Sequence, residues 1–414
     1  MEKSKVYFTD LRASDGDNLL DKLQRLIRKA GIGQIDFADQ YVAIKMHFGE
    51  PGNLAFLRPN YAKAVADVVK ELGGKPFLTD CNTLYVGGRK NALDHIDSAY
   101  SNGFVPYVTG CQILIADGLK GTDEELVPVK NGEYVKEAKI GRAVMDADIF
   151  ISLTHFKGHE AAGFGGTLKN IGMGCGSRAG KMEMHSAGKP HVDQSRCIGC
   201  GKCSRICAHD AAVVAEVSAS DCSQSAATGN TEENTRTAEM RQETASGTSA
   251  GKTERTIRKA SIDHNKCVGC GRCIGICPKD AVKPASDEAN DILNCKIAEY
   301  AQAVCQDRPC FHISLVMDVT PNCDCHAEND AAIVPDVGMF ASFDPVALDL
   351  ACADAVNAQP PLRNSVLGES YEQHTHEHRD HFGRVAPETN WKSSIEHAVK
   401  IGLGRAEYEL ITVK

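Results

Sequence analysis

Cys197, Cys200, Cys203 and Cys207 stand in the spacing C-x2-C-x2-C-x3-C, and Cys267, Cys270, Cys273 and Cys277 repeat it seventy residues later, followed by Pro278. Thiolates this close on a tight loop suit a cubane iron–sulphur cluster: three reach three irons of one cluster, while the fourth, on the helix that follows, points to the other. On that rule one 4Fe-4S cluster takes Cys197, Cys200, Cys203 and Cys277, and a second takes Cys267, Cys270, Cys273 and Cys207. Zinc is the competing use, but zinc ligands usually come as two separated pairs. Gly199, Gly201, Gly269 and Gly271 fit a loop that needs positive φ and close approach to sulphide. Four cysteines per cluster leave no iron open, so the expected chemistry is one-electron transfer.

The repeat extends beyond the ligands. Asp193/Asp263, Ile206/Ile276, Asp210/Asp280 and Ala211/Ala281 recur at the same offset, which implies two related halves. The region resembles a bacterial two-cluster 4Fe-4S ferredoxin. It departs from that family where Ala208 replaces the usual proline, and in the separation of its two motifs. Ser218 to Thr256 contains no Val, Leu, Ile, Phe, Tyr or Trp. Such a stretch buries too little apolar surface to offset its ordering entropy, so a mobile loop is expected, with Cys222 a bystander.

A second constellation lies upstream. Lys45 and His47 share one strand face and lead to Glu50; Asp80, Asn82, Thr83 and Tyr85 follow another strand; His155, Lys157 and His159 follow a third. Lys45, His47, His155, Lys157 and His159 are the candidate catalytic residues, cations to orient an anionic substrate and histidines to deliver protons. The glycine-rich run Gly163 to Gly176 matches no nucleotide fingerprint, but a strand-to-helix turn there would offer amides to an anion at Gly165 and Gly166, with Lys169 adding charge. Cys175 in that run is a further candidate. Cys323-Asp-Cys325, beside His326, places two thiols on one face of an extended segment, suited to a soft metal, and Cys305 and Cys310 could complete four ligands. His374 and His378, one helical turn apart with His381 beyond, suit a divalent metal.

Hydrophobic periodicity supplies the elements that must position these groups. Val6–Phe8, Tyr41–Phe48, Pro76–Thr79, Gln112–Ala116, Asp148–Leu153, Phe311–Val319 and Ile333–Phe340 read as strands. Helices are expected over 19–30, 65–72, 91–101, 292–304 and 345–356, and a hairpin turning on Asn131-Gly132. Alternating strands and helices point to a layered α/β domain with a largely parallel sheet, interrupted by an inserted α+β ferredoxin-like domain. The expected boundaries are 1–188 and 287–414 for the α/β domain and 189–286 for the insertion. In such a sheet ligands gather beyond the carboxyl ends of the strands, where the second constellation falls.

Composition narrows the class. The chain has 414 residues, eighteen of them cysteine, with 42% hydrophobic and 24% charged residues, enough for about two to three packed domains. A net charge of −9 would repel a phosphate backbone, so a nucleic-acid partner is not expected. The N-terminus lacks a signal-peptide profile and no stretch reaches the roughly 18 apolar residues of a membrane span, so a cytoplasmic protein is expected. In that reducing compartment dense cysteine means metal or redox chemistry more often than disulfides.

Several strings together resemble the domain of unknown function 362 family, a set of iron–sulphur proteins. They are Lys45-Met-His47-Phe-Gly49-Glu50-Pro-Gly52, Thr79-Asp80-Cys-Asn82-Thr83-Leu-Tyr85, and Phe156-Lys157-Gly158-His159 through Lys169-Asn170 to Lys181. Asp318-Val-Thr-Pro-Asn-Cys323-Asp-Cys325 and Asp344-Pro345-Val-Ala-Leu-Asp349 continue the pattern. The resemblance implies an α/β domain carrying a ferredoxin-like insert and names no reaction. Two functions stand: an iron–sulphur oxidoreductase fed by a redox partner protein and acting at the Lys/His site, or a non-enzymatic electron carrier or metal and cofactor assembly factor.

Overall fold

The computed structural model describes residues 3–84, 87–185, 189–218, 256–284, 290–373 and 380–414. Tyr85, the expected loop between Ser218 and Thr256 with Cys222, and His374 and His378 lie outside the described residues. The chain forms two compact units, 1–188 with 286–414, and 189–285.

In the larger unit, chain order gives strands β1 (Ser4–Thr9), β2 (Tyr41–Lys45), β3 (Lys75–Asp80), β4 (Gln112–Ile115), β5 (Glu124–Pro128), β6 (Glu137–Gly141), β7 (Ile149–His155), β8 (Lys157–His159) and β9 (Gly163–Gly165). The smaller unit contributes β10 (Pro190–Val192), β11 (Ala212–Ser218), β12 (Thr256–Ile262) and β13 (Val282–Pro284), after which β14 (Cys310–Val316), β15 (Gly338–Ser342) and β16 (Tyr408–Thr412) return to the larger one. Eight strands form one sheet in the order β16-β1-β15-β14-β7-β2-β3-β4. Every neighbouring pair is parallel except those of β15, which runs against β1 and β14, so this is an α/β fold with a mostly parallel sheet.

The local causes are those of helix and strand chemistry. In α1 (Leu19–Lys29) the Asn18 side chain accepts from the amides of Leu20 and Asp21 and Asp21 caps in return, which fixes the start; Leu23, Leu26 and Ile27 are buried. Each such burial contributes about 1.5–3 kcal/mol, so Leu26→Ala would open a cavity beneath the sheet. All seven residues of β7 are buried, as a central strand covered on both faces requires.

Strand ends depart from the sequence reading. β2 stops at Lys45, β14 at Val316, and β15 begins only at Gly338. The hairpin β5–β6 closes through a longer loop than the Asn131-Gly132 turn, with Asn131 at φ 58 within it. In each case apolar residues continue past the ladder because they pack under loops, which periodicity alone does not separate from a strand.

The sheet has one switch point. From β2 the chain steps to β3 and β4 on one side, then returns to β7 on the other side of β2 and continues to β14. The crevice beyond the carboxyl ends of β2 and β7 is where such a sheet leaves room for a ligand.

The smaller unit has local two-fold likeness. The helices Lys202–Ile206 and Arg272–Ile276 begin at Gly201 and Gly271, with φ 73 and 65, and Asp210 and Asp280 both have φ 48. Asp193 donates its backbone amide to Ala281, and Asp263 to Ala211. β11 pairs with β12 and β10 with β13, both antiparallel.

Candidate functional site

The smaller unit holds two cavities. One is lined by Cys197, Cys200, Cys203 and Cys277; the other by Cys207, Cys267, Cys270 and Cys273. The fourth cysteine in each comes from the opposite motif. Gly199 and Gly269, at φ 64 and 73, turn the loops around these spaces, and a Cβ at Gly199 would strike the Arg258 carbonyl. Backbone amides already face the sulphurs: Ala211 donates to Cys207, Ala281 to Cys277 and Ala260 to Cys197, at 3.2–3.3 Å. Amide donors to sulphur are a means by which a protein tunes an iron–sulphur centre. The donor set and the enclosed space fit an iron–sulphur cofactor.

At the carboxyl ends of β2 and β3, Lys45 and Asp80 form a buried ion pair at 3.1 Å, and Lys45 Nζ also donates to Asn170 Oδ1 at 2.9 Å. Burial, the largest influence, opposes charge on Asp80, yet Lys45 and the other basic groups around it together outweigh burial and hold the carboxyl well below its usual range. Arg89 binds Glu50 at 2.7 Å and reaches His47 Nε2 at 2.9 Å. Burial, then the nearby Arg89 charge, lowers the His47 pKa to about 3, so its ring is neutral at pH 7.

Across the switch point, His155 Nδ1 lies 2.9 Å from Asp324 Oδ1 and Nε2 lies 2.8 Å from the Met317 carbonyl. Lys157 Nζ is 3.4 Å from the other Asp324 oxygen and donates to the His155 carbonyl. Burial of Asp324 opposes its charge, but His155 and Lys157 prevail and keep it well below the usual carboxylate range. His159 accepts at Nδ1 from the amides of Ala161 and Ala162, and burial followed by the Lys169 charge lowers its pKa to about 4.

Asp324 anchors the Cys323-Asp-Cys325 segment. That segment is a turn, closed by the His326 amide donating to the Cys323 carbonyl, and not the extended stretch expected. The neighbouring Cys325 thiol first, then Lys169, Lys157 and His159, lower the Cys323 pKa well below the ordinary thiol value against the opposing effect of burial. Lys169 Nζ lies 3.7 Å from Cys323 Sγ. Glu160, Cys325 and His326 converge, their ligand atoms all within 4.8 Å of one another.

Five expectations are corrected. The Gly165-Gly166 turn does not offer free amides: the amides of Thr167 and Leu168 are taken by the buried Asp349 carboxylate at 2.5 and 2.9 Å, and Lys169 turns to Cys323. Lys45, His155 and Lys157 are consumed by Asp80 and Asp324, so they position the crevice and are not cations awaiting a substrate. Cys305 and Cys310 sit at the amino end of β14, whose carboxyl end leads to Cys323, so they cannot share ligands with it; Cys310 donates to the Cys305 carbonyl. Cys175 is buried and its pKa is raised by burial to about 11, against a reactive role. His381, read as a third metal-binding histidine, has both ring nitrogens occupied by Tyr371 and the Gln359 carbonyl.

Sequence reasoning missed Arg89, His95 and Glu160, single residues in a loop, a helix and a turn with no periodic or spacing signal. His326 was seen only as a neighbour of Cys325.

Comparison with known proteins gives four matches. A family model described as "Domain of unknown function (DUF362)" matches residues 42–354. The "Thylakoid-associated protein sll1697" of Synechocystis is 27% identical over 171 residues, covering 39% of this chain and 47% of that protein, so the chain spans about half the length of that relative. "Putative ferredoxin-3" of Sinorhizobium fredii is 29% identical over 99 residues, 23% of this chain and 78% of that protein. Among solved structures, the lactate racemase apoprotein from Thermoanaerobacterium thermosaccharolyticum aligns over 44% of this chain and 41% of its own, at 14% identity and a TM-score of 0.28. The ferredoxin likeness and the two cysteine-lined cavities point to iron–sulphur binding. No helix among the described residues is long and apolar enough to cross a membrane.

Proposed function

The chain belongs to the domain of unknown function 362 family, and from that premise we propose that it is an electron-transfer protein binding two 4Fe-4S clusters, coupled to a redox, metal or anion site in its α/β unit. The observation that carries this reading is the exchange of the fourth cysteine between the motifs, Cys277 into one cavity and Cys207 into the other. The bound clusters would supply one-electron chemistry at low potential. The residues of this chain provide the thiolates, the amide donors to sulphur, and the apolar walls at Ile198, Ala260, Val268 and Ile262 that limit water around them.

In the α/β unit, Asp80 and Asp324 are neutralised from within, and Lys169 and His159 remain beside Cys323. That arrangement suits a small anion or a thiolate-bound metal. His159, with Nδ1 held as an acceptor, presents Nε2–H on the side of Glu160, 3.7 Å away. A redox partner protein would deliver or remove the electrons.

The second reading, a carrier or metal and cofactor assembly factor, draws on one observation, the convergence of Glu160, Cys325 and His326. Anaerobic reductive titration tests the main proposal. About two electrons per chain and two cluster signals in electron paramagnetic resonance are expected; uptake of a single electron with one signal would refute it.

A further inference from the structure

We propose that Glu160, Cys325 and His326 hold one zinc-class divalent ion in the larger unit, with the fourth position open to water or a bound anion. The ligand atoms of the first three lie within 4.8 Å of one another, and Glu160 Oε1 and His326 Nε2 are 3.2 Å apart. Bonds of about 2.0–2.3 Å to a tetrahedral ion put neighbouring donors roughly 3.3–3.8 Å apart, so the group closes on a single ion with small adjustment.

The donors are held in place before any ion arrives. Glu160 follows β8, and Cys323 to His326 form the turn beyond β14. Asn53 Nδ2 donates to the His326 carbonyl, the Glu50 amide to the Asp324 carbonyl, and Asp324 is fixed on His155 and Lys157. Behind the His326 ring, Nδ1 lies 3.7 Å from Glu328 Oε1. A carboxylate in that position is what orients a metal-ligating imidazole and sets its tautomer.

The donor set selects the metal. A thiol, an imidazole and a carboxylate favour zinc over magnesium or calcium, which require oxygen ligands. Glu160 and His326 keep side-chain exposures of 47% and 35%, so an ion can enter from solvent. An ion pair between Glu160 and His326 alone would explain their contact but not the thiol placed on both. The inference is independent of the clusters, since none of its ligands belongs to the cysteine motifs.

The test uses anaerobically purified holoprotein, equilibrated with zinc chloride and desalted. About one zinc per chain beyond the iron is expected, with a zinc-edge absorption spectrum fitted by mixed sulphur and nitrogen or oxygen neighbours. Glu160→Gln and His326→Ala should each weaken zinc retention at least about tenfold while iron and sulphide stay at the wild-type content. Equal retention by both variants, a four-sulphur shell around zinc, or a Cys323–Cys325 disulfide with no zinc bound would overturn the site. Zinc retained in protein that lacks iron would uphold it and count against the cluster reading instead.

Discussion

His155 Nδ1 and Asp324 Oδ1 lie 2.9 Å apart, both side chains almost wholly buried, and this contact ties the end of β7 to the turn that carries Cys323 and Cys325. Removing one partner of a buried pair strands the other, at a cost of about 3–5 kcal/mol, moderated here because Lys157 stays 3.4 Å from Asp324. His155→Ala and Asp324→Asn should each lower the melting temperature of the anaerobic protein. A double-mutant cycle should give a coupling of about 1–3 kcal/mol; additive effects would show that the pair does not hold the turn.

Lys45 and Asp80 predict a similar result with a functional consequence. Lys45→Met leaves Asp80 without its nearest cation, Arg89 lying at 4.0 Å and His95 at 3.7 Å, so a loss of roughly 3 kcal/mol in stability is expected by chemical denaturation. Loss of activity in a Lys45 variant therefore reports unfolding as much as chemistry. His159→Ala is the cleaner probe: an enzyme loses turnover, while a carrier keeps its electron-transfer rate.

Asp349 sets a pH dependence. Burial raises its pKa from 3.8 to about 6, against the opposing bonds from the Leu168 and Thr167 amides. The folded state thus holds the proton more tightly than the unfolded state. This contribution is fully present below about 3.8 and is lost as pH rises through about 6, a swing of roughly 3 kcal/mol. Asp80 and Asp324, with lowered pKa values, act in the opposite sense and lose their contribution as pH falls below the ordinary carboxylate value. Melting curves of wild type and Asp349→Asn between pH 4 and 7 should diverge in favour of the variant as pH rises; parallel curves would refute the assignment.

Cys277→Ser and Cys207→Ser test the exchange between motifs. Cys277→Ser should disturb the centre whose other ligands are Cys197, Cys200 and Cys203, and Cys207→Ser the other one. Each cluster signal should therefore be altered by one substitution in its own motif and one in the opposite motif. If Cys277→Ser and Cys267→Ser alter the same signal, the exchange is wrong.

Much of this arrangement was legible in the sequence because it is local. The cysteine spacing and the four glycines announce a loop around a cluster, and hydrophobic pattern put Lys45 on the strand that carries it. What escaped detection depends on pairings across long stretches of chain. Asp349 lies 182 residues from Thr167, and nothing near the Gly165-Gly166 turn signals that a distant helix supplies its anion. Asp324 is 169 residues from His155, so His155 and Lys157, which looked free, are held by a residue read only as the spacer between two cysteines. Strand lengths were overestimated where apolar residues leave the ladder yet stay buried, as at Met46 and Ile333.

Iron and acid-labile sulphide counted per chain after anaerobic purification decide whether the eight cysteines hold two 4Fe-4S clusters. About eight of each are expected; fewer than about six irons in protein reconstituted with excess iron and sulphide would rule the two clusters out.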